Sequence, residues 1–242
     1  MALLPTLFLS HGSPMNAVDE TASSREWASL GRILGKPRAV LVASAHWETS
    51  VPMLTGSPKP ETIHDFGGFP DALYQIRYPA PGAPELAAQA AALLKDAGIA
   101  AGVDGCRGLD HGAWVPLRWM YPGADVPVVE ISLQPALGAA RHVELGRALA
   151  PLAGEDVLLV GSGHATHNLR DWMANPRRQE PLHYARAFAD WVAERLTDRD
   201  TGALVAYRER APDPVARTAR NGREASYRFC GGTDLIAAAN RA

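Results

Sequence analysis

Histidine is the residue type around which chemistry could be built in this chain. His11 follows the run Leu-Phe-Leu-Ser, His46 follows Val-Leu-Val-Ala-Ser-Ala, and His164 and His167 follow Val-Leu-Leu-Val-Gly-Ser-Gly. Each run reads as a buried strand, so each histidine is expected just beyond a strand end. Imidazole is the commonest metal ligand, and neutral nitrogens presented from several rigid strands can converge on one ion without ordering a flexible loop. The spacing of 35 residues from His11 to His46 is no compact ligand motif such as HExxH, so the case for a metal is geometric. The competing reading for any single histidine is a hydrogen-bonded loop or cap residue.

In GSGHATHNL a strand gives way to a glycine-rich turn and then to a helix starting near Asn168. There we assign packing on the turn to His164 and function to His167. Asp110-His111-Gly112-Ala113-Trp114 stands just before a helical pattern, where Asp110 suits an N-cap and His111 is left to point inward. His142 and His183 fall inside helical stretches and read as surface or packing residues. Trp47, Trp114 and Phe69 could line an aromatic pocket or belong to the core.

The elements that must position these residues alternate in type. Strands are expected at Leu7 to Ser10, Ala39 to Ala43, Val126 to Ser132 and Val157 to Val160. Apolar residues at three- and four-residue spacing predict helices at Ser24 to Leu34, Ala83 to Ala97, Ala113 to Met120, Ala136 to Leu152 and Pro181 to Leu196. Strands separated by helices imply a three-layer α/β/α domain with a mainly parallel sheet. In such sheets ligands gather outside the carboxyl ends of the strands, where these histidines fall. The stretch from Pro52 to Pro84 carries seven prolines and reads as a long functional loop. With no repeat, low-complexity tract or linker, residues 1–242 are expected to form one catalytic domain, with an atypical segment from about 211.

At 242 residues and 47% hydrophobic content the chain can bury a full core. A formal charge of -2 and a pI near 6.4 argue against nucleic acid as a partner. The first residues carry no basic region, and their apolar stretch is far shorter than the roughly 20 residues of a membrane span, so neither export nor insertion is expected. Two cysteines outside any CxxC pair fit a reducing compartment, and the protein is read as cytoplasmic.

Six segments, in order, carry a family resemblance: SHGSPMN at His11, SAHW at His46, IHDFGGFP at His64, YPAPG at Tyr78, DHGAW at His111 and THNLR at His167. Over about residues 5 to 210 the chain resembles the extradiol ring-cleaving dioxygenases related to the catalytic subunit of protocatechuate 4,5-dioxygenase, specifically their 4,5-DOPA dioxygenase branch. The resemblance implies a non-haem Fe(II) site, often filled by zinc, that opens a catechol ring with O2. It implies metal ligation by His11 and His46, and a role for His167 as either ligand or general base. It implies a substrate-side position for His111 and a pocket-bordering loop at His64 and Asp65. A histidine near its reference pKa of about 6.5 is suited to take the catechol proton at neutral pH.

The family pattern breaks near the C-terminus. A segment resembling HPTEEH followed by LPLL is expected there, but the chain has no histidine after His183 and reads ARTARNGREASYRFCGGTDLIAAANRA. Either Glu224 supplies the carboxylate ligand, or the site lacks one ligand, is more exposed, and takes zinc more readily than iron. A family member with weak or lost ring cleavage, and a zinc hydrolase built on metal-activated water, are the competing functions.

Overall fold

The computed structural model describes residues 3–166, 168, 171, 174 and 180–212. Its sheet comprises β1 (Leu7–Ser10), β2 (Ala39–Glu48), β3 (Met53–Thr55), β4 (Gly102–Asp104), β5 (Val128–Leu133) and β6 (Val157–Gly163), in the spatial order β1-β6-β2-β5-β3-β4. The four strands β1, β6, β2 and β5 are parallel, while β3 meets β5 antiparallel and pairs β4 in parallel. The helices named here are α1 (Ala22–Leu34), α2 (Asp71–Tyr74), α3 (Pro84–Asp96), α4 (His111–Met120), α5 (Gly138–Leu149), α6 (His183–Thr197), α7 (Thr201–Val205) and α8 (Tyr207–Arg210). The mainly parallel α/β/α expectation is met.

Successive strand side chains point to opposite faces, and both faces here are buried. Leu41, Ala43, Val129, Ile131 and Leu159 pack with Leu86, Ala90 and Leu94 of α3 and with Leu145 and Leu149 of α5. Val40, Val42, Val128, Leu158 and Val160 face the other way, against Trp27 of α1 and Ala113, Trp114, Leu117 and Met120 of α4. Each fully buried leucine contributes about 1.5–3 kcal/mol. Helices α1 and α4 approach so closely that a Cβ added at Gly31 would lie 2.1 Å from the Met120 carbonyl oxygen.

Several boundaries differ from expectation for local reasons. Strand β2 continues past Ala43 to Glu48, with a register irregularity against β5, so His46 lies within the strand's last turn of pleat rather than beyond it. Pro127 has no N–H, and β5 begins at Val128, whose N–H donates to the Pro81 carbonyl. The helix expected over Ala136 to Leu152 is broken into α5 between two 3-10 segments, Pro135–Leu137 and Ala150–Glu155, each with a proline in its first turn. The proline-rich stretch is not structureless: it holds β3 and α2. The tail expected to be atypical begins where description ends, at Pro212, so Glu224 lies outside the described residues.

Candidate metal centre

Strand register gathers the histidines. Ser162 on β6 is level with Leu9 on β1 and Ser44 on β2. Two residues further along each chain stand His11, His46 and His164, so the period of two sends all three toward the face that α4 covers. Their rings meet: the His11 centroid is 4.9 Å from His46 and 4.8 Å from His164. His111, the first residue of α4, completes the group, 5.2 Å from His11 and 4.0 Å from His46. His11 and His111 are buried, and His46 is exposed along one edge.

One carboxylate from the proline-rich stretch ties this group together. Asp65 Oδ1 accepts the backbone N–H of His111 at 2.9 Å, and Oδ2 accepts from its Nδ1 at 2.9 Å. The same oxygen lies 3.4 Å from Nδ1 of His46. Burial is the largest single influence on Asp65 and opposes its ionisation, yet the His111 hydrogen bonds and the charges of His111 and His46 outweigh it and hold its pKa at about 2. A carboxylate on Nδ1 leaves Nε2 as the unprotonated nitrogen of a neutral His111.

Nitrogen placement around His46 suits a cation. Its Nε2 is 3.0 Å from Nε2 of His11, while its Nδ1 faces the Asp65 carboxylate. With Nδ1–H turned to Asp65, a neutral His46 presents an unprotonated Nε2, which either an Nε2–H of His11 or a cation can meet. A cation lying between the two Nε2 atoms satisfies both, and two imidazoles on one tetrahedral ion with bonds of about 2.0–2.1 Å stand about 3.3–3.4 Å apart. The ligand atoms of His11, His46 and His111 all lie within 4.8 Å of one another, so the donor set fits a divalent metal.

Residues 5–224 match the family described as the catalytic LigB subunit of aromatic ring-opening dioxygenase. The chain belongs to this family. It is 44% identical over 212 residues to a 4,5-DOPA dioxygenase extradiol of Beta vulgaris, covering 86% of this chain and 78% of that one. It is also 44% identical to the Escherichia coli K12 protein of the same name, covering 80% and 71%. A crystal structure of an uncharacterized Escherichia coli K12 protein superposes with a TM-score of 0.72 at 33% identity, covering 96% of this chain and 87% of that one. The enzyme is therefore an extradiol ring-opening dioxygenase, an oxidoreductase, and the hydrolase and inactive-relative alternatives are not favoured.

Within this dioxygenase the residues singled out from sequence fall into distinct places. His11, His46, His111 and Asp65 converge. His64 stands beside them, with Nε2 on the Ile76 carbonyl at 3.1 Å and its ring among Phe66, Tyr74 and Trp114. His167 lies outside the described residues. His164, assigned to packing, is half-buried against His11 with Nε2 3.3 Å from the Gly12 carbonyl. Its approach to His11 was readable only from register, because Ser10 pairs with Gly163 one residue earlier. Trp114 is core, donating Nε1–H to the Ile63 carbonyl, and Trp47 is buried beneath the Arg107 guanidinium. His142 is a packing residue and His183 is exposed.

Asp110 does more than the N-cap role read for it. Its Oδ1 accepts the Gly112 N–H at 3.0 Å and the Ser44 hydroxyl at 2.6 Å, and Ser44 Oγ in turn accepts the His46 N–H at 3.2 Å. Arg107 donates to Oδ2, and the Asp110 N–H donates to Glu130 Oε2. Burial first, and then the neighbouring Asp110 charge, push Glu130 well above the usual carboxylate range. This cluster, fully buried at Ser44, Asp110 and Glu130, braces the backbone at both His46 and His111. No local motif could announce it, since Ser44, Asp110 and Glu130 are brought together only by the sheet.

Proposed function

We propose that this dioxygenase opens a catechol ring carrying a DOPA-like side chain, using O2 and an ion held by His11, His46 and His167. The observation that carries the ligand reading is the 3.0 Å approach of the His11 and His46 Nε2 atoms beside the Asp65 carboxylate. Fe(II) with open positions would supply the electron transfer that O2 chemistry needs and that redox-inert zinc lacks. The 4,5-DOPA dioxygenase names of the relatives support the substrate class.

We assign proton transfer to His111. Asp65 holds its Nδ1–H, so Nε2 can take a catechol hydroxyl proton while the carboxylate stabilises the imidazolium that results. His167 is the second candidate base, and His64 and Asp65 border the substrate. A second reading exchanges the roles of His111 and His167, because the His111 ligand atoms also lie within reach of the same ion. We propose further that the chain works as one catalytic domain in the cytoplasm without nucleic-acid partners. Among the described residues no helix is long and apolar enough to cross a membrane.

Anaerobic loading with Fe(II), followed by oxygen and DOPA, should give a yellow ring-opened product, and a fully loaded enzyme that leaves DOPA unchanged would overturn the substrate assignment. Metal content and turnover of His111→Ala and His167→Ala, measured together, separate the two roles. A lost base keeps the metal and lowers turnover by about 10²–10⁴-fold, whereas a lost ligand lowers metal content.

A further inference from the structure

We propose that Ser162 is a positioning residue that makes His11 an Nε2 ligand, an inference that rests on the metal reading above. The argument is a count of protons. The Ser162 hydroxyl has one proton, and it donates that proton to the Gly112 carbonyl, an oxygen that can only accept. Ser162 Oγ also lies 3.0 Å from Nδ1 of His11. With the hydroxyl proton committed to Gly112, this second contact requires His11 to donate from Nδ1. Nε2 is then the unprotonated nitrogen, and it is Nε2 that stands 3.0 Å from Nε2 of His46.

Turning the hydroxyl proton toward His11 would leave two acceptor oxygens facing each other at the Gly112 contact. Ser162 is fully buried on β6, which is paired on one side to β1 and on the other to β2, so the backbone beneath it is held by two ladders. Gly112 belongs to the first turn of α4, next to His111. The chain His11 Nδ1–H to Ser162 Oγ–H to Gly112 carbonyl therefore joins the ligand just after β1 to the turn that carries the proposed base. His164 provides the contrast: its Nε2 lies 3.3 Å from the Gly12 carbonyl, which calls for a proton on that nitrogen. Two neighbouring histidines are thus given different surroundings, and only that of His11 turns Nε2 into a donor toward metal. Outer partners of this kind fix the tautomer and orientation of a ligating histidine.

The test reads the tautomer and the metal separately. In metal-free wild-type enzyme labelled with ¹⁵N-histidine, long-range ¹H–¹⁵N correlation at pH 8 should show His11 protonated at Nδ1. A His11 protonated at Nε2 would overturn the proposal without any variant. Competition with a chromophoric chelator should show Ser162→Ala binding Zn²⁺ about 10–100-fold more weakly than wild type, with the His11 signal moving toward the Nε2–H form. Wild-type affinity and an unchanged tautomer in that variant would equally overturn it. Should the variant fail to fold, the wild-type tautomer decides alone. Wild-type enzyme that refuses Zn²⁺ sinks the metal reading while leaving the tautomer result standing. Normal Zn²⁺ binding with an Nε2–H His11 removes Ser162 and leaves the metal reading intact.

Discussion

The two halves of the site are held in place by different means. His11 directly follows β1 and His46 lies on β2, two strands whose register with β6 is fixed by continuous ladders, and a side chain there can go wrong only if the strand slips. His111 and Asp65 come from a helix start and a loop 46 residues apart, joined by the hydrogen bonds of a single carboxylate. The strand half is positioned by backbone and the loop half by side chain. The first should therefore tolerate change around it, and the second should fail through one residue without loss of the fold.

The largest effect should come from the strand half itself: His11→Ala or His46→Ala removes a nitrogen from the 3.0 Å pair and should abolish stoichiometric metal uptake, with ring opening lost alongside. Elemental analysis decides this, and full metal content in both variants would remove the pair from the centre.

Asp65→Asn breaks the loop half and removes the charge that faces Nδ1 of His46. An amide can present N–H to Nδ1 of His111 and so favour the wrong tautomer, as happens when the aspartate of a catalytic triad is replaced. Turnover should fall by about 10²–10⁴-fold with metal content kept. Loss of metal instead of rate would show that the carboxylate serves the strand half.

Gly112→Ala tests where the halves touch. A Cβ there would lie 2.5 Å from Ser44 Oγ and 3.2 Å from His46 Cδ2. Relieving that contact should cost about 1–3 kcal/mol of stability and lower turnover as well. A variant with the wild-type melting temperature and rate would mean the halves are independent.

The smallest effect belongs to a histidine outside both halves. His142 donates Nδ1–H to the Gly138 carbonyl and accepts the Gln134 N–H at Nε2. Burial holds its pKa below the usual 6.5 despite the opposing Gly138 bond, so the unfolded chain binds its proton at a higher pH than the native one does. Its stabilising contribution is complete above about pH 6.5 and is lost as pH falls through the folded-state value. The stability difference between wild type and His142→Gln should accordingly shrink from pH 8 to pH 5 in denaturant titrations, with metal binding unchanged.

The same contrast explains what was legible. The apolar runs before His11 and His46 announced buried parallel strands, and with them the gathering of both histidines at one sheet end. That β2 runs on through His46 was hidden, because Ser44, Ala45 and Glu48 weaken the apolar run without ending the pairing. The short β3 and β4 were missed among prolines and glycines. The Asp65 bridge, the Ser162 relay and the Asp110 cluster left no periodic trace, since each depends on contacts between residues far apart in the chain. The family motifs marked Asp65 as part of a bordering loop but did not say which side chain it held.

The strand lengths across the sheet carry a further consequence. Among the described residues the outermost strands are short, β1 with four residues and β4 with three, as is β3 beside β4, while β2 within the sheet has ten. Unpaired N–H and C=O groups on an outer strand are templates for joining another sheet, and short outer strands present few of them. Among the described residues the longest strand thus stays indoors, and neighbouring copies find only brief rungs at the two edges of this sheet.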